Sequence, residues 1–255
     1  MTTRETPWPQ GTPSWVDLMV PDPRAAGDFY AQLFGWEIQD LGEEAGGYRI
    51  AQKSGRPAAG IGPTPEGQLM PSVWTTYIAA DDVDAIVSKV EAAGGQTLVP
   101  AMDVMQAGRM AMVSDSAGAV FGLWQARDHK GAEIVNEPGA LTWNENMTRD
   151  YDGARKFYAD VFGYEYEDVG DENFKYSVLN LGGGPVGGLG EIGANLPAEV
   201  PPHWMPYFSV ADTDEILARA QALGATVLMP AQDSPYGRMA TLQGPQGERF
   251  AVIAG

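Results

Sequence analysis

Apolar and polar positions follow two rhythms along this chain. SWVDLMV at 14–20 alternates as a strand does and stops at Pro21. Asp22 or Pro23 then opens a helix in which Phe29, Tyr30, Leu33 and Phe34 recur at helical spacing, and Gly35 ends it. YRIAQ at 48–52 and PAAGIG at 57–62 predict short strands joined by a glycine-containing turn. VWTTYIAA at 73–80 has the β-branched and aromatic content of a strand. Asp82 is placed to cap a second helix, Val83–Ala93, closed by Gly94. TLVPA, RMAMVSD and AVFGLWQ predict three further strands separated by turn residues.

The whole pattern then repeats. At an offset of 128 residues, Asp22, Phe29, Tyr30, Phe34, Gly35 and Glu37 recur as Asp150, Phe157, Tyr158, Phe162, Gly163 and Glu165. The same offset pairs Trp15 with Trp143, Tyr48 with Tyr176, and Gly60 with Gly188. PSVWTTYIAADDVDAI then matches PPHWMPYFSVADTDEI, and GRMA occurs at 108–111 and at 237–240. Order and spacing together make this two copies of one module. The organisation reads as an N-terminal arm over 1–10, a first module over 11–127, a linker over 128–137 and a second module over 138–255. Each copy is two βαβββ units, an α+β arrangement.

Composition narrows the chemistry. The chain has 255 residues with 44% hydrophobic content, enough to bury a core in each module. It has no cysteine and only two histidines, His129 and His203. Thiol catalysis, disulfides and three-imidazole metal sites are therefore excluded. Net charge is −18 and spread along the chain. Such a surface repels phosphate backbones and anionic lipid, so neither nucleic acid nor membrane is expected as a partner. No apolar run approaches the ~18 residues of a membrane span, and MTTRETPWPQGTP lacks an apolar core, so the chain reads as cytoplasmic.

The twin FY-x-x-x-FG helices at 22–37 and 150–165, the DDVDAI helix start, and the hairpin GRMAMVSDSAGAVFGLWQ carry a resemblance. The chain resembles the vicinal oxygen chelate superfamily, the glyoxalase/bleomycin-resistance/extradiol dioxygenase fold, in which paired βαβββ units form cup-shaped mixed sheets. Its tandem, tryptophan-rich form resembles a branch of hydroxylase-like proteins and a culture-filtrate antigen. The resemblance implies one divalent metal per working cup, held by His or Gln, His and Glu. Carried onto this chain, those positions fall on Trp15, Thr75 and Gly122, and on Trp143, Met205 and Ala251. None is a good donor to a hard cation, so no metal and no other cofactor is expected.

The strands instead carry Trp15, Trp74, Trp143, Trp204, Tyr48, Tyr77, Tyr176, Tyr207, Met19, Met110, Met147, Met205 and Met239. Those that face inward would make a cavity suited to a flat conjugated molecule; the alternative for each is packing between sheet and helices. Asp17, Glu145 and His203 fall on the same strand faces as the lost ligands and are candidates for a general base. For Asp17 and Glu145 the plainer reading is an inward carboxylate hydrogen-bonded to Tyr, Thr or Arg in the cup, with Arg109 or Arg238 as the bidentate option. Both arginines are also candidates for holding a ligand anion, or for ion pairs with Asp103 and Asp233. GGGPVGGLG at 182–190 lacks the Lys-Ser/Thr of a phosphate loop and reads as a turn or bulge. His129 reads as a solvated linker residue. The expectation is a metal-independent binder of an aromatic or polyketide-like small molecule. A lyase or hydroxylase-like enzyme using Asp17, Glu145 or His203 is the alternative. The fused modules mimic a dimer, so the chain is expected to be a monomer.

Overall fold

The computed structural model describes residues 2–65, 70–172, 174–193 and 197–255. After β1 (Thr2–Thr3), the first module runs β2 (Pro13–Val20), α1 (Pro23–Phe34), β3 (Glu37–Asp40), β4 (Arg49–Lys53), β5 (Arg56–Pro63), β6 (Val73–Ala79), α2 (Val83–Ala92), β7 (Gln96–Val104), β8 (Gly108–Ser114) and β9 (Val120–Ala126). Past β10 (Ile134–Val135), the second runs β11 (Leu141–Thr148), α3 (Tyr151–Phe162), β12 (Glu165–Asp168), β13 (Tyr176–Leu181), β14 (Gly184–Glu191), β15 (His203–Ser209), α4 (Thr213–Ala222), β16 (Thr226–Ser234), β17 (Gly237–Gln243) and β18 (Arg249–Ala254). No helix among the described residues is long and apolar enough to cross a membrane.

Each module is one mixed sheet, ordered β3-β4-β5-β2-β6-β9-β8-β7 in the first and β12-β13-β14-β11-β15-β18-β17-β16 in the second. The helices start and stop where the sequence marks them. Asp22 accepts from the N–H groups of Arg24 and Ala25, Asp82 from Ala85, Asp150 from Gly153 and Asp212 from Glu215. Gly35 and Gly163 end α1 and α3 in the left-handed conformation.

Strand alternation divides each sheet into a helix face and a cup face. Val16, Leu18 and Val20 of β2 point to the helices and are fully buried. Trp15 and Asp17 point the other way, across from Tyr77 and Thr75 of the neighbouring β6.

The modules meet through their helix faces, and each first helix is shared. Phe34 of α1 packs on Phe208 of the second sheet at 5.0 Å, and Tyr30 on Phe250 at 5.5 Å. Tyr158 of α3 packs reciprocally on Phe121 of the first sheet at 5.9 Å. Hydrogen bonds run along the same seam. The Trp74 indole N–H donates to the Tyr30 hydroxyl (3.0 Å), which donates to Glu248 (3.1 Å). Trp204 donates to Tyr158 (2.9 Å), which donates to Asp115 (3.0 Å). At the centre, Thr76 Oγ1 donates to Asn144 Oδ1 at 2.8 Å. The arm crosses over too, since β1 pairs with β10, which joins the second sheet beside β11.

Candidate functional site

On the cup face the same four-residue array is built twice. In the first module the Trp15 indole N–H donates to the Tyr48 hydroxyl at 3.1 Å. Tyr48 in turn donates to Asp17 Oδ2 at 3.2 Å, and Tyr77 donates to the same oxygen at 3.1 Å. In the second, Trp143 donates to Tyr176 at 3.1 Å, Tyr207 donates to Glu145 Oε1 at 2.9 Å, and Tyr176 also hydrogen-bonds Glu145. Met19 and Met147 extend the rows along β2 and β11. Met205, Tyr207 and Ala251 form a small apolar cluster with Trp143, Met239 and Ile253.

Glycines make the array possible. Gly60 and Gly188 lie in β5 and β14, beside Asp17 and Glu145. A Cβ at Gly60 would overlap the Tyr48 hydroxyl, and one at Gly188 the Tyr176 hydroxyl. Each tyrosine lies across bare backbone to reach its carboxyl group. The repeated G-x-G at 60–62 and 188–190 was the sequence signal for this. The segment reads as a turn from composition, but its turn is confined to Gly182 and Gly183, and the rest is strand.

Burial governs the electrostatics. Asp17 is 5% exposed, and desolvation pushes its carboxyl up to about 7 against the pull of the Tyr77 and Tyr48 hydrogen bonds. Its Oδ1 is buried without a partner. Desolvation likewise raises Glu145, opposed by Tyr207 and Tyr176. The carboxyl groups thus draw on tyrosines, one of the partners the sequence allowed, and not on Arg109 or Arg238.

Three groups of candidates fall elsewhere than expected. Trp74 and Trp204 are one residue out of phase with the cup positions, so alternation turns them to the helix face, where they bind Tyr30 and Tyr158. Arg109 and Arg238 also point to the helix face. Arg109 pairs with Asp84 (2.9 Å) and Asp103 (3.2 Å), and Arg238 with Asp214 (2.7 Å) and Asp233 (3.0 Å). The Asp103 and Asp233 pairs match one of the two sequence readings; the Asp84 and Asp214 partners, at the starts of α2 and α4, arise from tertiary packing. His129 is not a solvated linker residue. Its ring packs edge-on against Trp15 at 4.4 Å and Trp124 at 5.5 Å, and desolvation pushes its imidazole down to about 4. His203 opens β15 opposite Met147, half-buried, with Nδ1 2.8 Å from the Pro201 carbonyl. It makes no hydrogen bond with Glu145.

The donor set does not fit a chelated divalent cation. Each cup offers one carboxyl group, already bound by two phenols and biased by burial toward its protonated form. Among the described residues no three His, Asp or Glu side chains converge. What the arrangement offers instead is a strip of indole, phenol and thioether surface with one hydrogen-bonding carboxyl group.

Known proteins match this chain over most of its length. CFP32 of Mycobacterium tuberculosis (strain CDC 1551 / Oshkosh), a glyoxylase by name, is 46% identical over 252 residues, covering 96% of this chain and 95% of that protein. The anthracycline biosynthesis protein DnrV of Streptomyces peucetius is 38% identical over 259 residues, covering 95% and 93%. In structure, the 2,2',3-trihydroxybiphenyl 1,2-dioxygenase of Sphingomonas wittichii strain RW1 superposes with a TM-score of 0.67 at 16% identity, covering 97% of this chain and 91% of that one. The Mn(II)-bound glyoxalase of Novosphingobium aromaticivorans gives 0.66 at 17% identity, covering 96% and 82%. At such identities these two speak for the fold alone. The family profile matches residues 12–135 and 145–252, one match per module, and the chain belongs to the Glyoxalase/Bleomycin resistance protein/Dioxygenase superfamily.

Proposed function

We propose that this chain binds an aromatic or polyketide-like small molecule, without a metal, against the Trp/Tyr/Met surface of its cups. The observation that carries this reading is the Trp–Tyr–carboxyl–Tyr array, present in both modules where the superfamily resemblance calls for metal donors. Indole and phenol faces favour flat conjugated ligands, and a protonated carboxyl group donates to a ligand carbonyl or accepts from a phenol. Arg109 and Arg238 are engaged on the helix face, and the buried carboxyl group of each cup disfavours an anion beside it, so the ligand proposed is uncharged. DnrV, an anthracycline biosynthesis protein by name, supports the same class, anthracyclines being aromatic polyketides.

Titrating neutral hydroxyanthraquinones and their carboxylated analogues while following tryptophan fluorescence tests this. Quenching by the neutral set at micromolar concentration, with metal content below one-tenth per chain by elemental analysis, is the expected result. Stoichiometric metal or preference for the anions refutes it.

A second reading, a lyase or hydroxylase-like enzyme, is favoured by one observation. Asp17 keeps its proton to about pH 7, where a carboxyl group both accepts and donates. Asp17, Glu145 or His203 would then move the proton. If so, Asp17→Asn or Glu145→Gln abolishes turnover of a bound compound while leaving its affinity within a few-fold. Full activity in both variants removes the idea for these two carboxyls, and His203→Gln then decides for the imidazole.

A further inference from the structure

The two cups are built from equivalent residues, yet they are not equally open. Trp15 is 3% exposed and Asp17 is 5% exposed, whereas Trp143 and Glu145 are only half-buried. The segment that joins the modules covers the first cup. After β9 it folds back so that the His129 ring lies against both Trp15 and Trp124. It is pinned along its length. The His129 N–H donates to the Ala107 carbonyl at 3.0 Å, the Trp124 indole donates to the His129 carbonyl at 3.0 Å, and the Ala132 N–H donates to the Ser14 carbonyl at 2.7 Å. Gly131 passes so close to the Ser14 carbonyl that a Cβ there would approach it to 2.5 Å, and its φ of +95° favours glycine as well. In the second cup Ile253 takes the place of Trp124. Among the described residues no ring packs on Trp143 as His129 packs on Trp15.

The first cup keeps the same Trp–Tyr–carboxyl–Tyr array as the second beneath the His129 ring, so the site is covered and not dismantled.

We propose that the first cup is a duplicate of the ligand site held shut by His129 of the inter-module segment, so that the chain takes one uncharged aromatic molecule, in the second cup. The stoichiometry rests on the ligand-binding reading above; the closure does not, and two experiments separate them.

The first needs no ligand. The chain has no cysteine, so Asp17→Cys and Glu145→Cys each install a single thiol in one cup. N-phenylmaleimide, flat and neutral, reports access, with each rate normalised to the same variant in urea. The thiol at 145 is expected to react about tenfold faster than the one at 17, and adding His129→Ala should remove the difference. His129→Phe, which restores a ring, should keep the first cup slow. Trp15→Cys and Trp143→Cys, the other pair of unequal exposure, repeat the comparison if the carboxylate variants do not fold. Equal rates in the two cups, or a slow first cup that His129→Ala leaves slow, overturns the proposal.

The second experiment titrates 1,8-dihydroxyanthraquinone. One equivalent should bind the parent chain and be lost in Trp143→Ala. Two should bind His129→Ala, one of them lost when Trp15→Ala is added. Two equivalents in the parent, or one in a folded His129→Ala chain, overturns the proposal. No binding at all, with the labelling difference intact, refutes the aromatic-ligand reading and leaves the closure standing.

Discussion

Asp17 shows how much one buried side chain changes with its surroundings. The folded protein holds its proton up to about pH 7, while an exposed aspartate releases it near 3.8. A raised carboxyl pKa contributes stability that is complete below the unfolded value and lost as pH rises through the folded one. Asp17→Asn, which cannot ionise, should therefore gain on the parent between about pH 4 and pH 7, by at most about 1.4 kcal/mol per pH unit. Above that range the difference should be level. Urea midpoints measured across pH check this, and a difference that shrinks on the way up to pH 7 contradicts it. Gly60→Ala and Gly188→Ala test the floor of the cups. Each should displace a tyrosine from its carboxyl group, and Gly188→Ala should also weaken aromatic binding in the second cup, which a fluorescence titration measures. Sequence alone makes the Trp, Tyr and carboxylate pairing across the repeat legible. It leaves tyrosine, threonine and arginine open as partners of the carboxylates, because the partner is chosen by which side of a strand each residue occupies.

At the scale of elements, helix boundaries follow from local chemistry. Asp22, Asp82, Asp150 and Asp212 cap the helices, and Gly35 and Gly163 end α1 and α3. What the helices pack against does not follow from local chemistry. The tyrosine of each FY pair is both acceptor for a tryptophan of its own module and donor to a carboxylate of the other. Tyr30→Phe and Tyr158→Phe should each lower stability by about 1–3 kcal/mol, since each strands a buried indole N–H and removes one donor from a carboxylate that keeps its backbone donors. Equilibrium denaturation should still show a single transition, because the bonds cross between modules. The register of β6 and β15 explains the fate of Trp74 and Trp204. A shift of one residue along a strand is a change of face, and hydrophobicity does not distinguish two buried faces.

The whole molecule is interlocked more tightly than a pair of linked modules. α1 and α3 each pack on the opposite sheet, the N-terminal strand joins the second module, and the linker closes over the first. Residues 1–127 expressed alone should aggregate or melt without cooperativity, having lost Phe208 and Phe250 from around Tyr30 and Phe34. Light scattering of the intact chain should give a mass near 27.3 kDa, since the pseudo-dimer is complete within one chain. A soluble, cooperatively melting half would contradict the first expectation, and twice that mass the second. The amino-acid sequence by itself determined the duplication, the βαβββ order and the helix ends. These are local properties, carried by residue identity and spacing. Only the tertiary structure decided which side of the sheet each aromatic serves, which groups satisfy the buried carboxylates, and that His129 is packed into one cup and not the other. Those outcomes depend on register and on contacts between residues far apart in the chain, and no single-chain pattern encodes them because each is settled by what the opposing surface presents.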